Sequence, residues 1–183
     1  MKPMIETERL LLRPFQLEDL EALAAINGDP QVMRYIGNGL PATREQTAES
    51  LNFIIEHEKQ YGFSMWAAWY KQTNSLIGLC GLIHLDGTAE VEVGYRLALD
   101  HWGKGLASEG ARASLRYGFQ ELGLDRIVAV VQPGNVASRH VIEKIGLKYE
   151  KDASYYNADV RYYGIGREAY EPDGSFYACR SEA

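Results

Sequence analysis

Only two cysteines, Cys80 and Cys179, occur in the 183 residues. That is too few for a disulfide framework, and their spacing fits no metal site. Blocks of lysine and arginine are absent, and the net charge is −6. Stable nucleic-acid binding through phosphate neutralisation is therefore not expected. No apolar run approaches membrane-spanning length, and the opening MKPMIETERL lacks an apolar signal region. The expectation is a soluble, cytoplasmic protein with no membrane or nucleic-acid partner and no metal. Two nucleotide-binding fingerprints are missing as well. GxxxxGK[ST] fails because Gly105 follows Lys104, and GxGxxG fails because Ser108 stands where the third glycine should be.

Hydrophobic residues make up 46% of the chain and charged residues 24%. One compact domain over 1–183 is the default, with a core at about 7–170 and a loosely ordered tail at 171–183. An acidic surface steers cationic partners such as amines or basic peptides.

Taken in order, residues 9–14 read as a strand. Leu17, Leu20, Leu23 and Ile26 share an apolar helical stripe. A short helical piece at 31–36 and a loop at 37–42 follow. Thr43 and Gln46 form a capping-box pattern that opens a helix to about residue 60, which Gly62 ends. His57 is expected on an exposed face of that helix, and His84, His101 and His140 are read as structural. Residues 63–70, 76–85 and 89–98 read as three hairpin-linked strands, hence an antiparallel meander. Cys80, inside the second, is expected to be buried and inert. A helix at 107–122 and a strand at 125–132 come next. Strand, helix and strand make a right-handed crossover and a parallel pair. A helix at 135–145 and a final hairpin from 147–151 and 160–168 complete the chain. The predicted fold class is α/β (α+β): a mixed, mostly antiparallel central sheet with one parallel pair and helices on both faces.

The chain is organised around 97–110, LALDHWGKGLASEG. Gly103 and Gly105 allow backbone dihedrals closed to other residues. A helix starting there presents unpaired N–H groups and the positive end of its dipole. That suits a phosphate or pyrophosphate. On glycine spacing alone, a ligand-free tight turn explains the loop equally well.

The run Gly94-Tyr95-Arg96-Leu97, then 102–109, then Asn135-Val136-Ala137-Ser138 resembles the GNAT superfamily of acyl-CoA-dependent N-acetyltransferases. The likeness runs from the Glu6–Leu10 segment to about Glu168. It is strongest to the branch that acetylates ribosomal-protein N-termini, where Trp102 stands in place of the usual Arg or Gln. The resemblance implies a GNAT-like fold whose parallel strands splay apart, with acetyl-CoA as cosubstrate. It implies that the backbone of Leu97, Ala98 and Leu99 meets the pantetheine arm, and that Asn135 faces this arm while Ser138 lies near the sulfur. Residues 33–40 and 155–163 would be acceptor walls, with Tyr35 near the substrate.

The cradle for the phosphates is assigned to Trp102, Gly103, Lys104, Gly105, Leu106, Ala107 and Ser108. Dipole attraction adds roughly 0.3–1 kcal/mol per charge, so charge-assisted amide bonds of roughly 1.5–3 kcal/mol carry most of the affinity. Arg139 or Lys144 is a candidate for the 3′-phosphate. A neutral amine must attack the thioester. An α-amine lies only about one unit from neutrality at pH 7, a lysine amine about three and a half. Glu92 and Glu90 share one face of the strand, and Glu92 is the preferred base. Ile142 occupies the place where many superfamily members carry a tyrosine acid, and the resemblance to the ribosomal branch implies Ser138 as its replacement. The leading expectation is acetyl transfer to a protein or peptide N-terminal amine. The alternatives are a small amine (a polyamine, amino acid or aminoglycoside) and a non-catalytic acyl-CoA sensor. The C-terminal hairpin is where two copies would pair in a homodimer.

Overall fold

The computed structural model describes residues 2–182. The chain runs β1 (Lys2–Thr7), β2 (Leu10–Arg13), α1 (Leu20–Asn27), α2 (Pro30–Met33), α3 (Arg44–Tyr61), β3 (Met65–Tyr70), β4 (Ser75–His84) and β5 (Val91–Leu97). It continues with α4 (Leu106–Arg116), β6 (Arg126–Val131), α5 (Val136–Lys144), β7 (Lys148–Tyr155), β8 (Ala158–Gly166) and β9 (Tyr177–Glu182). The strands form one nine-stranded sheet in the order β7-β8-β6-β5-β4-β3-β2-β1-β9. Among the described residues, no helix is long and apolar enough to cross a membrane.

The expected meander is β3–β4–β5, and every neighbouring pair is antiparallel except β5 and β6. That parallel pair shares a single register point, Glu92 opposite Val128. Beyond it the strands part. Helices cover both faces. Leu106, Ala111 and Leu115 of α4 join the larger core with Trp66, Leu82, Ile127 and Tyr163. Leu23 of α1 and Leu51 and Ile54 of α3 pack on Ala67 and Leu79 across the other face. Trp66 is fully buried and meets Tyr117 edge-on. The capping box of α3 forms as its residues dictate: Gln46 N–H donates to Thr43 Oγ1 at 3.1 Å, and Thr43 N–H to Gln46 Oε1 at 2.9 Å. Cys80 is buried against Ser114, and burial pushes its thiol up to about 12, so it is inert.

Four readings of the sequence need correction. The tail is not loose: β9 pairs with β1 from Lys2 opposite Glu182 to Thr7 opposite Tyr177. Tyr177 and Cys179 alternate onto the core, which gives the strand its inner face. Its partner β1, unforeseen, supplies the fully buried Ile5. Leu17 is not on the stripe of α1; it is 63% exposed in a short 3₁₀ turn. That turn is fixed by Asp19, which pairs with Arg13 at 2.8 Å and accepts from Gln16 N–H. The helix after the central loop leaves α geometry at Tyr117 for one π turn to Glu121. Finally, His57 is buried, 5% exposed. Its Nδ1 lies 2.9 Å from Phe63 O and its Nε2 lies 2.8 Å from His84 Nδ1. Satisfying both bonds puts a proton on Nδ1 of each ring, and desolvation lowers the pKa of His57.

A chain ending at residue 174 loses β9 and the burial of Tyr177 and Cys179, roughly 2–3 kcal/mol. The expected Tm falls by about 5–10 °C in a calorimetric scan; an unchanged Tm contradicts a structural role for β9.

Candidate active site

The central loop turns twice through left-handed backbone. Gly103 has φ +71° and Gly105 φ +77°, and Gly105 is the N-cap of α4. The first N–H of this region to find a backbone acceptor is that of Glu109, on Gly105 O at 3.0 Å. Among the described residues, the amides of Gly103 to Ser108 donate to no protein acceptor. A Cβ on Gly103 meets nothing within 4 Å, so the approach to these amides is open. The side chains of Leu106 and Ser108 are buried in the protein, which leaves their backbone N–H groups as the part that can face a ligand. An unpaired row of amides at a helix start is an anion cradle.

The loop is held in place from a distant part of the chain. Arg9 Nη1 donates to Lys104 O at 2.8 Å, and Arg9 Nε donates to Glu109 Oε2 at 2.7 Å. Thr7 Oγ1 and the Arg9 amide both donate to Glu109 Oε1, at 2.7 and 2.8 Å. Burial pushes the Glu109 carboxyl up, but these bonds outweigh it and lower its pKa. On the other side, the Trp102 indole N–H donates to Leu97 O at 2.8 Å. Ala98 N–H donates to Ile77 O and Ala98 O accepts from His101, while Leu99 O accepts from Trp102 N–H. Those groups of the predicted pantetheine segment are engaged in shaping the loop. Arg9, Gly105, Arg112 and Lys144 line one cavity of about 250 Å³ beside the cradle, which brings Lys144 to the phosphate end; Arg139, half-buried on α5, is not in its lining.

The second predicted constellation meets β5. Asn135 Oδ1 caps α5 by accepting from Ser138 N–H at 3.2 Å. Tyr95 OH lies 2.9 Å from both Ser138 O and Ser138 Oγ. One hydroxyl thus joins the strand to the start of α5, and burial raises its pKa.

Glu92 is 7% exposed, on the opposite face of β5 from the α4 core. It accepts from Tyr156 OH, and the same hydroxyl accepts from Asp86 N–H at 3.0 Å. Tyr156 N–H returns a bond to Asp86 Oδ2 at 2.8 Å. Both of these residues have positive φ, +54° for Tyr156 and +43° for Asp86. Such backbone is uncommon for a tyrosine, and it clusters where side chains must be aimed. Desolvation pushes the Glu92 carboxyl up to about 7; Tyr156 opposes the rise and Asp86 adds to it. Glu90 instead accepts from Tyr162 OH, two residues further from the loop.

A family model described as an acetyltransferase (GNAT) domain matches residues 9–148. The chain belongs to the GNAT acetyltransferase family. It is 39% identical over 165 residues to the uncharacterised protein YkkB of Bacillus subtilis (strain 168), covering 88% of this chain and 95% of that one. A crystal structure of a GNAT-family acetyltransferase from Bacillus anthracis superposes with TM-score 0.78 at 34% identity, covering 90% and 99%. The ribosomal-protein-S5-alanine acetyltransferase of Vibrio fischeri shares the fold with TM-score 0.73 at 19% identity, covering 92% and 99%.

GNAT acetyltransferases take their acetyl group from acetyl-CoA, and the residues here fit that molecule. The unpaired amides and the Arg9, Arg112 and Lys144 cations suit its phosphates. Sequence reasoning missed Tyr95, Asp86 and Arg9 as parts of this site, and it placed Tyr156 only within the 155–163 wall, with no link to Glu92. Arg9 and Tyr95 lay inside the recognised motifs, so the signal was present; nothing local marks Tyr156 or Asp86.

Ala at position 105 must adopt φ +77°, a strain of about 1–3 kcal/mol. Gly105→Ala is expected to weaken acetyl-CoA binding about tenfold or more by calorimetric titration. Arg9→Ala frees Lys104 and Glu109 and is expected to act in the same direction; affinity unchanged in both variants contradicts the cradle.

Proposed function

We propose that this GNAT acetyltransferase acetylates an α-amine, with peptide N-termini as the leading acceptor class. The observation that carries this reading is Glu92, a buried carboxyl pushed up to about 7 and held by Tyr156. A base of that strength suits an ammonium with pKa near 8. A lysine-type ammonium near 10.4 is a poor match. The motif likeness to the ribosomal branch points the same way.

Acetyl-CoA supplies an activated acetyl thioester. The loop amides of Gly103 to Ser108, with Trp102 and Lys104, bind its phosphate end, and Leu97 to Leu99 with Asn135 flank its arm. Glu92 takes the proton of the acceptor ammonium, directly or through one water. Ser138, with its hydroxyl 2.9 Å from Tyr95 OH, passes a proton from the newly acylated nitrogen to the departing thiolate. A sensor without chemistry leaves the aimed Glu92–Tyr156 pair without a task.

The test is thiol release against peptides, free amino acids, polyamines and aminoglycosides. Transfer to α-amines over polyamines supports the proposal; transfer to polyamines alone sinks it. The acid limb of kcat/KM is expected near pH 7, with activity rising as Glu92 ionises. Tyr156→Phe removes the bond that lowers this pKa, so the limb moves to higher pH. Glu92→Gln is expected to cut kcat by about 10²–10³-fold and leave acetyl-CoA affinity unchanged. The raised carboxyl costs stability as pH climbs from the unfolded value near 4.5 through about 7. Glu92→Gln is therefore expected to be more stable than wild type at pH 8, by about 1–3 kcal/mol in denaturant melts, and equal to it at pH 4.

A further inference from the structure

Arg96 sits on β5 four residues beyond Glu92, on the same face of the sheet. Opposite it on β4 is Leu79, which packs into the core beneath α1 and α3. Of the polar groups in reach, Arg96 uses one: its Nη1 donates to Asn27 Oδ1 at 2.8 Å. Asn27, the last residue of α1, is itself 2% exposed and is neutral. The Arg96 Nε is buried with no hydrogen-bond partner among the described residues. No ion pair among the described residues includes Arg96. Burial lowers its pKa to about 10, and no neighbouring carboxylate offsets that cost. The guanidinium remains charged at neutral pH.

A largely buried guanidinium facing only an amide costs the fold stability. Arginine is also the side chain shaped to grip a carboxylate with paired N–H groups. Its surroundings are those of a mouth. Past Glu92 and Val128 the strands part, and Arg96 borders that gap. On the β6 side, Gln132 Nε2 donates to Gly37 O at 3.3 Å, and Tyr35 packs over Gly134. The loop between α2 and α3 thus reaches the far rim of the same opening. Gly94, between Glu92 and Arg96, is overlain by the Met65 side chain, which would meet a Cβ there at 2.3 Å. The floor between base and cation is therefore apolar and low.

We propose that Arg96 is a specificity residue that binds a carboxylate on the acceptor, so that the preferred substrate is an amine carrying a carboxylate within about one residue of the reacting nitrogen. The proposal rests on the reading of Glu92 as the base. It selects within that reading: an amino acid, or a peptide whose first residue is acidic, meets both groups. A polyamine offers Arg96 only a like charge. The net charge of −6 attracts amines in general, and Arg96 sorts among them.

The test compares pairs that differ in one charge: free α-amino acids against their amides, and Asp-Ala-Ala against Asn-Ala-Ala. Wild type is expected to favour the carboxylate member by about 10–100-fold in kcat/KM. Arg96→Gln is expected to erase that preference, with acetyl-CoA affinity within about twofold. Arg96→Lys keeps the charge without the fork and is expected to retain part of it. The free amino acid pair and the peptide pair separate an α-carboxylate from a side-chain one. Direct titration of the same compounds into wild type and Arg96→Gln reads binding without turnover. Equal preference in both proteins, with a lower Tm in the variant, reduces Arg96 to a prop for α1 and overturns the proposal. A wild type that acetylates neutral and anionic members alike also overturns it, while the α-amine reading stands. If carboxylate binding depends on Arg96 but no compound is acetylated, the assignment of Glu92 fails and that of Arg96 survives.

Discussion

Everything at this site depends on two parallel strands that agree at one point and then separate. Glu92 and Val128 are in register, and no further pairing joins β5 to β6. A parallel ladder that stops early leaves strand edges without partners inside the sheet, which a fold tolerates only if something fills the gap. One filler is internal: Tyr95 reaches across to Ser138 and closes one face. The other is the ligand pair that the two faces receive. The cradle opens on the side of α4, and the proposed base and cation, Glu92 and Arg96, lie on the side of α1. On the proposed reading, the single register point defines where donor and acceptor meet.

The two charged residues proposed to face the acceptor, Glu92 and Arg96, are both expensive, and for opposite reasons. Glu92 is desolvated until its proton is held near neutrality, and Arg96 is desolvated without a counter-ion. Neither is relieved by the other, four residues along the strand. A fold selected for stability alone would pair them or replace them with apolar residues. Their separation keeps both available, and the strained turns at Asp86 and Tyr156 carry part of the cost.

Local chemistry was legible in the sequence. The glycines at 103 and 105, the start of α4, the capping box at Thr43 and the crossover that makes β5 and β6 parallel all rest on neighbouring residues. The polar face of β5 was legible in part, through Glu90 and Glu92 two residues apart. What could not be read were partners brought together by topology. Tyr156 reaches Glu92 across 64 positions, and Arg96 reaches Asn27 across 69. His57 looked like a surface residue because its partner, His84, lies on a strand beyond the helix. Among the described side chains of β9, Tyr177 and Cys179 point inward, too weak an alternation to stand out after a polar stretch.

The clasp of Thr7 and Arg9 on Glu109 has a kinetic meaning. It joins positions about a hundred apart, between a strand near the sheet's far edge and the start of α4. Such contacts form late, after the loop-closure entropy of the intervening chain has been overcome. A collapsed chain can hold strands, helices and even the two glycines and still lack a finished cradle. Acetyl-CoA then recognises the completed molecule alone, and its whole binding free energy counts toward the native state. In a cell, the pool of donor cofactor acts as a folding ligand, shielding finished copies from unfolding and proteolysis.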